Sequence, residues 1–242
     1  MTDRILILGA TGGVGTALAH RVAARGAQPI LMARDAGRLA ALAAELPGAE
    51  TVVADVTDIP ALQAAIQALG APLSGLAFCV GSIVLKPLAK MTEADLMDAF
   101  RLNAMAAGMA VQAALPALVA GNASVVLFSS VAARAGFASH MAIGTAKAAV
   151  EGMTVALAAE LAPAVRVNCV APSLTRTRIA EPLTKNPAMA EAIAKLHPLP
   201  RLGEPDDIAA IADFLLSPAS GWITGQVIAV DGGRGTLRTK AG

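Results

Sequence analysis

Tyrosine is absent from this sequence. No phenol can therefore act as a general acid or base anywhere in the chain, and proton-transfer schemes that need one are excluded. Aromatic residues make up only 2%, so the 55% hydrophobic content is largely alanine and other aliphatic residues in helix-like stretches. That is weak ground for a membrane protein. Cysteine is scarce as well. Cys79 and Cys169 both fall in expected buried strands and are read as unpaired thiols, not as a disulfide. No metal site is expected. Nor is there an excess of one charge, with 19 basic against 18 acidic residues and a net charge of +1. Without a basic block to track a phosphate backbone, nucleic acid is excluded as a partner. Long apolar runs are missing too. The one long charge-free stretch, between Arg101 and Arg134, is divided by Asn103, Gln112, Pro116, Gly121-Asn122 and Ser129-Ser130 into a helix, a turn and a strand. No membrane partner is expected. The chain runs from Met1-Thr2-Asp3-Arg4 into an apolar strand, and no small-residue cleavage site follows a signal-like core, so the expected location is the cytoplasm.

What is present is alternation. Arg4–Leu8, Pro29–Met32, Thr51–Ala54, Gly75–Val80, Ser124–Ser129, Arg166–Ala171 and Val227–Val230 read as strands, each nearly continuous in apolar residues. Strands buried on both faces of a parallel sheet have that composition. Helices fit between them over about Val14–Arg25, Ala36–Leu46, Ile59–Leu69, Thr92–Leu118, His140–Leu161 and Pro205–Leu216, and Thr92 with Asp95 reads as an N-terminal cap. The expected fold class is α/β, a three-layer doubly wound parallel sheet of about seven strands, with ligands at the carboxyl ends of the strands. No repeat or linker divides the 242 residues, so 1–242 reads as a single domain. Residues 174–200, bracketed by Pro182, Pro187, Pro198 and Pro200, read as a substrate lid. Its Leu183, Met189, Ile193 and Leu196 suggest an apolar substrate.

The first turn, Leu8-Gly9-Ala10-Thr11-Gly12-Gly13-Val14-Gly15, follows a strand and opens a helix. Gly9 permits a tight turn, Gly13 lets backbone approach a pyrophosphate and Gly15 allows close helix–sheet packing. Thr11 and Val14 lie in the same turn, and the helix end offers free N–H groups to phosphate. This GxxxGxG spacing resembles that of the short-chain dehydrogenases/reductases, which bind NAD(P) on a Rossmann fold. The resemblance extends along nearly the whole chain. It implies that Asp55-Val56 contacts adenine and that Asn103 is the structural asparagine of the active-site tetrad. Ser130 and Lys147 stand at the family's serine-to-lysine spacing. Pro172 and Thr177 resemble the segment that holds the nicotinamide carboxamide. Arg201-Leu202-Gly203, Thr224-Gly225 and Asp231-Gly232-Gly233 match the C-terminal signature. Oligomerisation is also implied, a tetramer first and a dimer next. The small faces Ala104 to Gly108 and Ala148 to Gly152 would serve it, though they could equally pack within the chain.

Cofactor choice turns on Met32-Ala33-Arg34-Asp35. An acid at position 33 would bind a ribose 2′-hydroxyl and repel a 2′-phosphate. Alanine stands there, and Arg34 offers a planar fork suited to phosphate, so NADP(H) is favoured over NAD(H).

Two departures stand out. The family's tyrosine lies four residues before the lysine, where this chain has Ile143. The usual Asn-Asn-Ala-Gly after the fourth strand is replaced by Phe78-Cys79-Val80-Gly81. The divergent enoyl-acyl-carrier reductases also depart there, and their tyrosine lies seven residues before the lysine, the place of His140. An imidazole there could donate a proton to a substrate oxygen. The expected function is an NADP(H)-dependent oxidoreductase acting on a carbonyl/hydroxyl or conjugated enoyl small molecule. Ser130 would bind the substrate oxygen, Lys147 the cofactor ribose, and Asn103 would support a water relay. His140 is the candidate donor. Two alternatives stay open: an enoyl-reductase-like enzyme using His140, and a catalytically silent NADP(H)-binding subunit or sensor.

Overall fold

Along β1 (Arg4–Leu8) successive side chains leave to opposite faces, as the pleat requires. Leu6 and Leu8 enter one hydrophobic cluster, Ile5 and Ile7 another, and all four are fully buried. Each such side chain contributes on the order of 1.5–3 kcal/mol of transfer free energy. The computed structural model describes residues 3–70 and 72–239; Met1 and Thr2, read above as the lead-in to the first strand, lie outside them.

In chain order, β1 is followed by α1 (Gly13–Ala24), β2 (Gln28–Ala33), α2 (Ala36–Glu45), β3 (Glu50–Val53), α3 (Ile59–Gln67) and β4 (Gly75–Phe78). Next come α4 (Glu93–Phe100), α5 (Ala106–Ala120), β5 (Ser124–Phe128), α6 (Met141–Leu161) and β6 (Arg166–Pro172). The short α7 (Glu181–Thr184) and α8 (Pro187–Ala194) precede α9 (Pro205–Leu216) and β7 (Val227–Val230). The strands pair in parallel in the order β3-β2-β1-β4-β5-β6-β7. One cluster holds α3, α5 and α6 against the sheet, and the other holds α1, α2 and α9. The expected three-layer, seven-stranded fold is therefore the observed one. From β1 the chain winds to β3 on one side and then crosses to β4 on the other. That reversal opens a crevice at the carboxyl ends of β1 and β4.

Four expectations need correction. The expected helix Thr92–Leu118 is broken by a π turn over Arg101–Met105, in which the Ala106 N–H reaches back to the Arg101 carbonyl. The cause is Asn103, whose side-chain Nδ2 takes the Ala99 carbonyl at 2.9 Å, the acceptor its own backbone would use in an α-helix. The N-terminal cap is as expected, Thr92 and Asp95 forming a reciprocal capping box. β3 is not buried on both faces. As an edge strand with one neighbour it leaves Val53 exposed, and Arg4 and Gln28 pin it through Glu50. Cys79 lies just beyond β4 and is partly buried, whereas Cys169 is fully buried inside β6; both thiols are free. In the 174–200 segment, Met189 and Leu196 point to solvent.

Glu93–Ala120 and Met141–Leu161 have the length and hydropathy of membrane spans. Residues of both are buried in the core, among them Ala107, Val111 and Val150. Ala104, Ala106 and Ala107 pack within the chain, while Ala148, Gly152 and Val155 leave a small-residue stripe of α6 exposed. Trp222, the only tryptophan, stands fully exposed on the loop before β7.

Candidate active site

The glycine turn after β1 is built by steric necessity. Gly9 has φ +76°, and a Cβ on Gly15 would lie 2.3 Å from the Gly9 carbonyl oxygen. Only hydrogen fits there, so α1 begins directly against the turn. Its N-cap is Gly12, and no side chain caps the first turn. Uncapped N–H groups at a helix start form an anion site. Gly13 faces the segment after β6, since a Cβ there would meet Thr177 Cγ2 at 2.9 Å. A hollow beside the turn is lined by Thr11, Gly13, Arg38, Arg176 and Arg178, and the Arg38 guanidinium donates to the Thr11 carbonyl. Arg34 stands mostly exposed, 3.6 Å from Asp55 Oδ2. The Thr57 N–H and hydroxyl both donate to Asp55, and the backbone bond is the main reason its carboxyl lies below the usual range. Val56 turns its side chain into the core.

Thr177 also borders a second cavity, of about 340 Å³, at the crevice. The structure brings Val14, Gly81, Ser130, His140, Ile143, Lys147, Pro172 and Thr177 to its wall. Apolar side chains dominate, including Leu183 and Ile193 from the 174–200 segment, and among the described residues no Asp or Glu lines it.

Lys147, on α6, is almost fully buried and donates through Nζ to the Phe128 carbonyl at 2.9 Å. A methyl group at Gly81 would touch Asn103 Oδ1 at 3.1 Å and Lys147 Nζ at 3.2 Å, so both groups converge on that glycine. Asn103 in turn holds Ser82, receiving its N–H and donating to its hydroxyl. Ser130 lies two residues beyond β5 and accepts from the Ala132 N–H at 3.2 Å, leaving its own proton free to donate. His140 caps α6. Its Nδ1 lies 2.8 Å from the Ala138 carbonyl, which can only accept, so Nδ1 carries a proton and Nε2 is the free ring atom. Ile143 lies one turn before Lys147 and is 4% exposed.

Burial pushes the Lys147 ammonium down to about 8 from its ordinary 10.5. The folded state sheds this proton first, so the buried cation is a cost below pH 8 that is relieved as pH rises towards 10.5. Lys147→Met should therefore be most stabilising at neutral pH. Its advantage over the parent should shrink by on the order of 2 kcal/mol between pH 7 and 10 in chemical denaturation. A constant difference would show that the ammonium is not desolvated.

Several contacts escaped the sequence reading. Ser129 shares its one hydroxyl proton between Glu151 at 2.9 Å and the Lys147 carbonyl at 3.1 Å, and Arg134 holds the other Glu151 oxygen at 2.6 Å, fastening α6 to the end of β5. His197, read as part of the lid, is buried. Its Nδ1 faces the Ile193 and Ala194 carbonyls, and Nε2 lies 2.8 Å from Ser173 Oγ on the cavity wall. Arg234 also reaches that wall. The Ser129–Glu151, Arg134–Glu151 and Ser173–His197 pairs join residues 22, 17 and 24 positions apart, with no motif to announce them. His20 lies on the α1 surface, 3.3 Å from Glu45.

Comparison with known proteins gives a consistent result. The family model described as Enoyl-(Acyl carrier protein) reductase matches residues 9–234. A galactitol 2-dehydrogenase (L-tagatose-forming) of Cereibacter sphaeroides is 36% identical over 238 residues, covering 94% of this chain and 92% of that protein. The structure of a short-chain type dehydrogenase/reductase from Mycobacterium ulcerans superposes with a TM-score of 0.91 at 31% identity, over 98% of this chain and 90% of that one. A gluconate 5-dehydrogenase from Burkholderia cenocepacia, solved in complex with NADP and tartrate, gives 0.91 at 26% identity over 98% and 96%.

Proposed function

The chain belongs to the short-chain dehydrogenase/reductase family of Rossmann-fold oxidoreductases, and from that premise we propose an NADP(H)-dependent enzyme for carbonyl/hydroxyl or conjugated enoyl small molecules. In this reading the proton donor has moved from position 143 to His140. One observation carries it. Ser130, Lys147 and His140 share a single apolar cavity beside an uncapped glycine turn, and an isoleucine stands one helical turn before the lysine.

The cofactor fits the residues present. The first turn of α1 would hold the pyrophosphate, Asp55 and the Val56 backbone the adenine, Lys147 the nicotinamide ribose, and Pro172 and Thr177 the carboxamide end. NADPH, when bound, supplies the hydride. Ser130 donates its free proton to the substrate oxygen, and Lys147 raises the positive potential there. His140 gives up a proton from Nε2 when its ring is charged; in the oxidative direction the neutral ring receives one. Asn103 supports a water relay by fixing Ser82 and facing the Lys147 ammonium across Gly81.

Arg34 supports the choice of NADP(H), and Arg38 beside the Thr11 carbonyl adds a second guanidinium near the place of a 2′-phosphate. NADPH should raise the melting temperature more than NADH, since ligand at 100 times its Kd adds ~2.7 kcal/mol. Ala33→Asp with Arg34→Ala should reverse the order in the same thermal-shift assay. Equal shifts in the parent would sink the preference.

We read 174–200 as a lid within one domain spanning 1–242, because Leu183 and Ile193 face the cavity from it. The exposed α6 stripe supports our reading of a self-associating protein, as a tetramer or next a dimer, and we propose the cytoplasm as its location. The enoyl reading has its own support in the Cys79-Val80-Gly81 departure and the description of the matching family model. NADPH consumption against carbonyl and enoyl panels separates the two. Tight NADPH binding with no turnover on either panel would favour a silent subunit.

A further inference from the structure

Arg4, Arg21, Arg25, Arg134 and Arg201 each hold a carboxylate. Arg234 does not. Among the described residues no Asp or Glu pairs with its guanidinium, which lines the cavity and lies 4.9 Å over the Phe137 ring. Burial alone shifts its pKa, downward, and no acid opposes the change. A half-desolvated cation without a counter-ion costs free energy unless something supplies the anion.

The turn that carries Arg234 is built to keep the nearest acid away from it. Asp231 is buried after β7, and its two carboxylate oxygens accept the Gly233 and Gly235 N–H groups at 2.8 and 2.7 Å. The Arg234 N–H donates to the Asp231 backbone carbonyl. The carboxylate three residues away thus shapes the turn and leaves the guanidinium uncompensated. Phe137 positions the cation from below, and the same ring leans against His140 at 5.2 Å, so Arg234 and the candidate donor flank one aromatic side chain.

The cavity accordingly carries two cations, Lys147 and Arg234, between apolar walls, and no acid among the described residues. We propose that Arg234 is the docking point for a carboxylate on the substrate, making the substrate class short-chain oxo or enoyl acids, or the corresponding hydroxy acids. The planar fork donates to both oxygens of a carboxylate, and the apolar wall takes the chain that links it to the reacting carbon. A cationic substrate would meet two like charges, and a neutral one would leave Arg234 uncompensated. One guanidinium matches a singly charged carboxylate better than a phosphate dianion. The inference rests on the reading of this cavity as the substrate site.

The test uses the full chain saturated with NADPH, titrated calorimetrically with hexanoate, hexanamide and hexyl phosphate. Hexanoate is expected to bind at least ten-fold more tightly than the isosteric amide and more tightly than the phosphate. Arg234→Gln should abolish the preference and Arg234→Lys should retain part of it, with NADPH thermal shifts in both variants equal to the parent's. Equal binding of acid and amide, or a preference that survives Arg234→Gln, would overturn the assignment. Tighter binding of the phosphate would overturn the carboxylate class. If NADPH produces no shift in the parent, the cofactor reading fails on its own. The same titrations on the protein alone then decide the role of Arg234.

Discussion

Ile143→Tyr should raise carbonyl-reducing turnover by ~10²–10⁴-fold, the range that a positioned general acid contributes. Position 143 lies one helical turn before Lys147, on the same face of α6, and its side chain borders the cavity. The 340 Å³ of space beside it accepts the extra ring without displacing core residues. A phenol there would stand near the Lys147 ammonium, which favours the phenolate and so makes the proton easier to give. Steady-state NADPH oxidation with a carbonyl panel measures the gain. A folded variant that binds NADPH like the parent and turns over no faster would show that the loss of tyrosine is not what limits the site.

His140→Ala should lower turnover on any confirmed substrate by ~10²-fold or more while leaving the Kd for NADPH nearly unchanged. The imidazole stands on the cavity wall with Nδ1 committed to the Ala138 carbonyl, so only Nε2 exchanges a proton with substrate. Reduction calls on the charged ring and oxidation on the neutral one. Full retention of activity would hand the proton to water or to Ser130. With Ile143→Tyr in the same background, a rescued rate would show that the two positions serve one oxygen.

The strands were legible because burial on both faces leaves few polar residues between Arg4 and Leu8 or between Ser124 and Phe128, and because glycines punctuate their ends. The same logic fails at β3, where an edge position lets Thr51 and Val53 face water although the residues read as a core strand. The helix through Asn103 was legible as a helix and not as a π turn, since periodicity does not report which carbonyl a side-chain amide will take. Gly9 and Gly15 were legible in the spacing of the first turn and Ser130 and Lys147 in the family resemblance, and the fold brings the latter two to one cavity. Ser129 with Glu151, Ser173 with His197 and Arg234 over Phe137 were not legible. Their meaning arises only when separate strands and helices converge on the crevice, and hydrophobic pattern carries no information about polar partners across such distances.

Trp222 gives the protein an unusual optical property. A chain with no tyrosine and one tryptophan has its near-ultraviolet emission written by a single indole, and that indole stands wholly in water on the loop before β7. Its emission colour reflects whatever covers that loop. A second protein surface settling there would shift the spectrum to the blue, whereas repacking inside the cavity leaves the indole's own surroundings as they are. Intrinsic fluorescence of this molecule is thus a contact sensor for one spot on its exterior, available without a label.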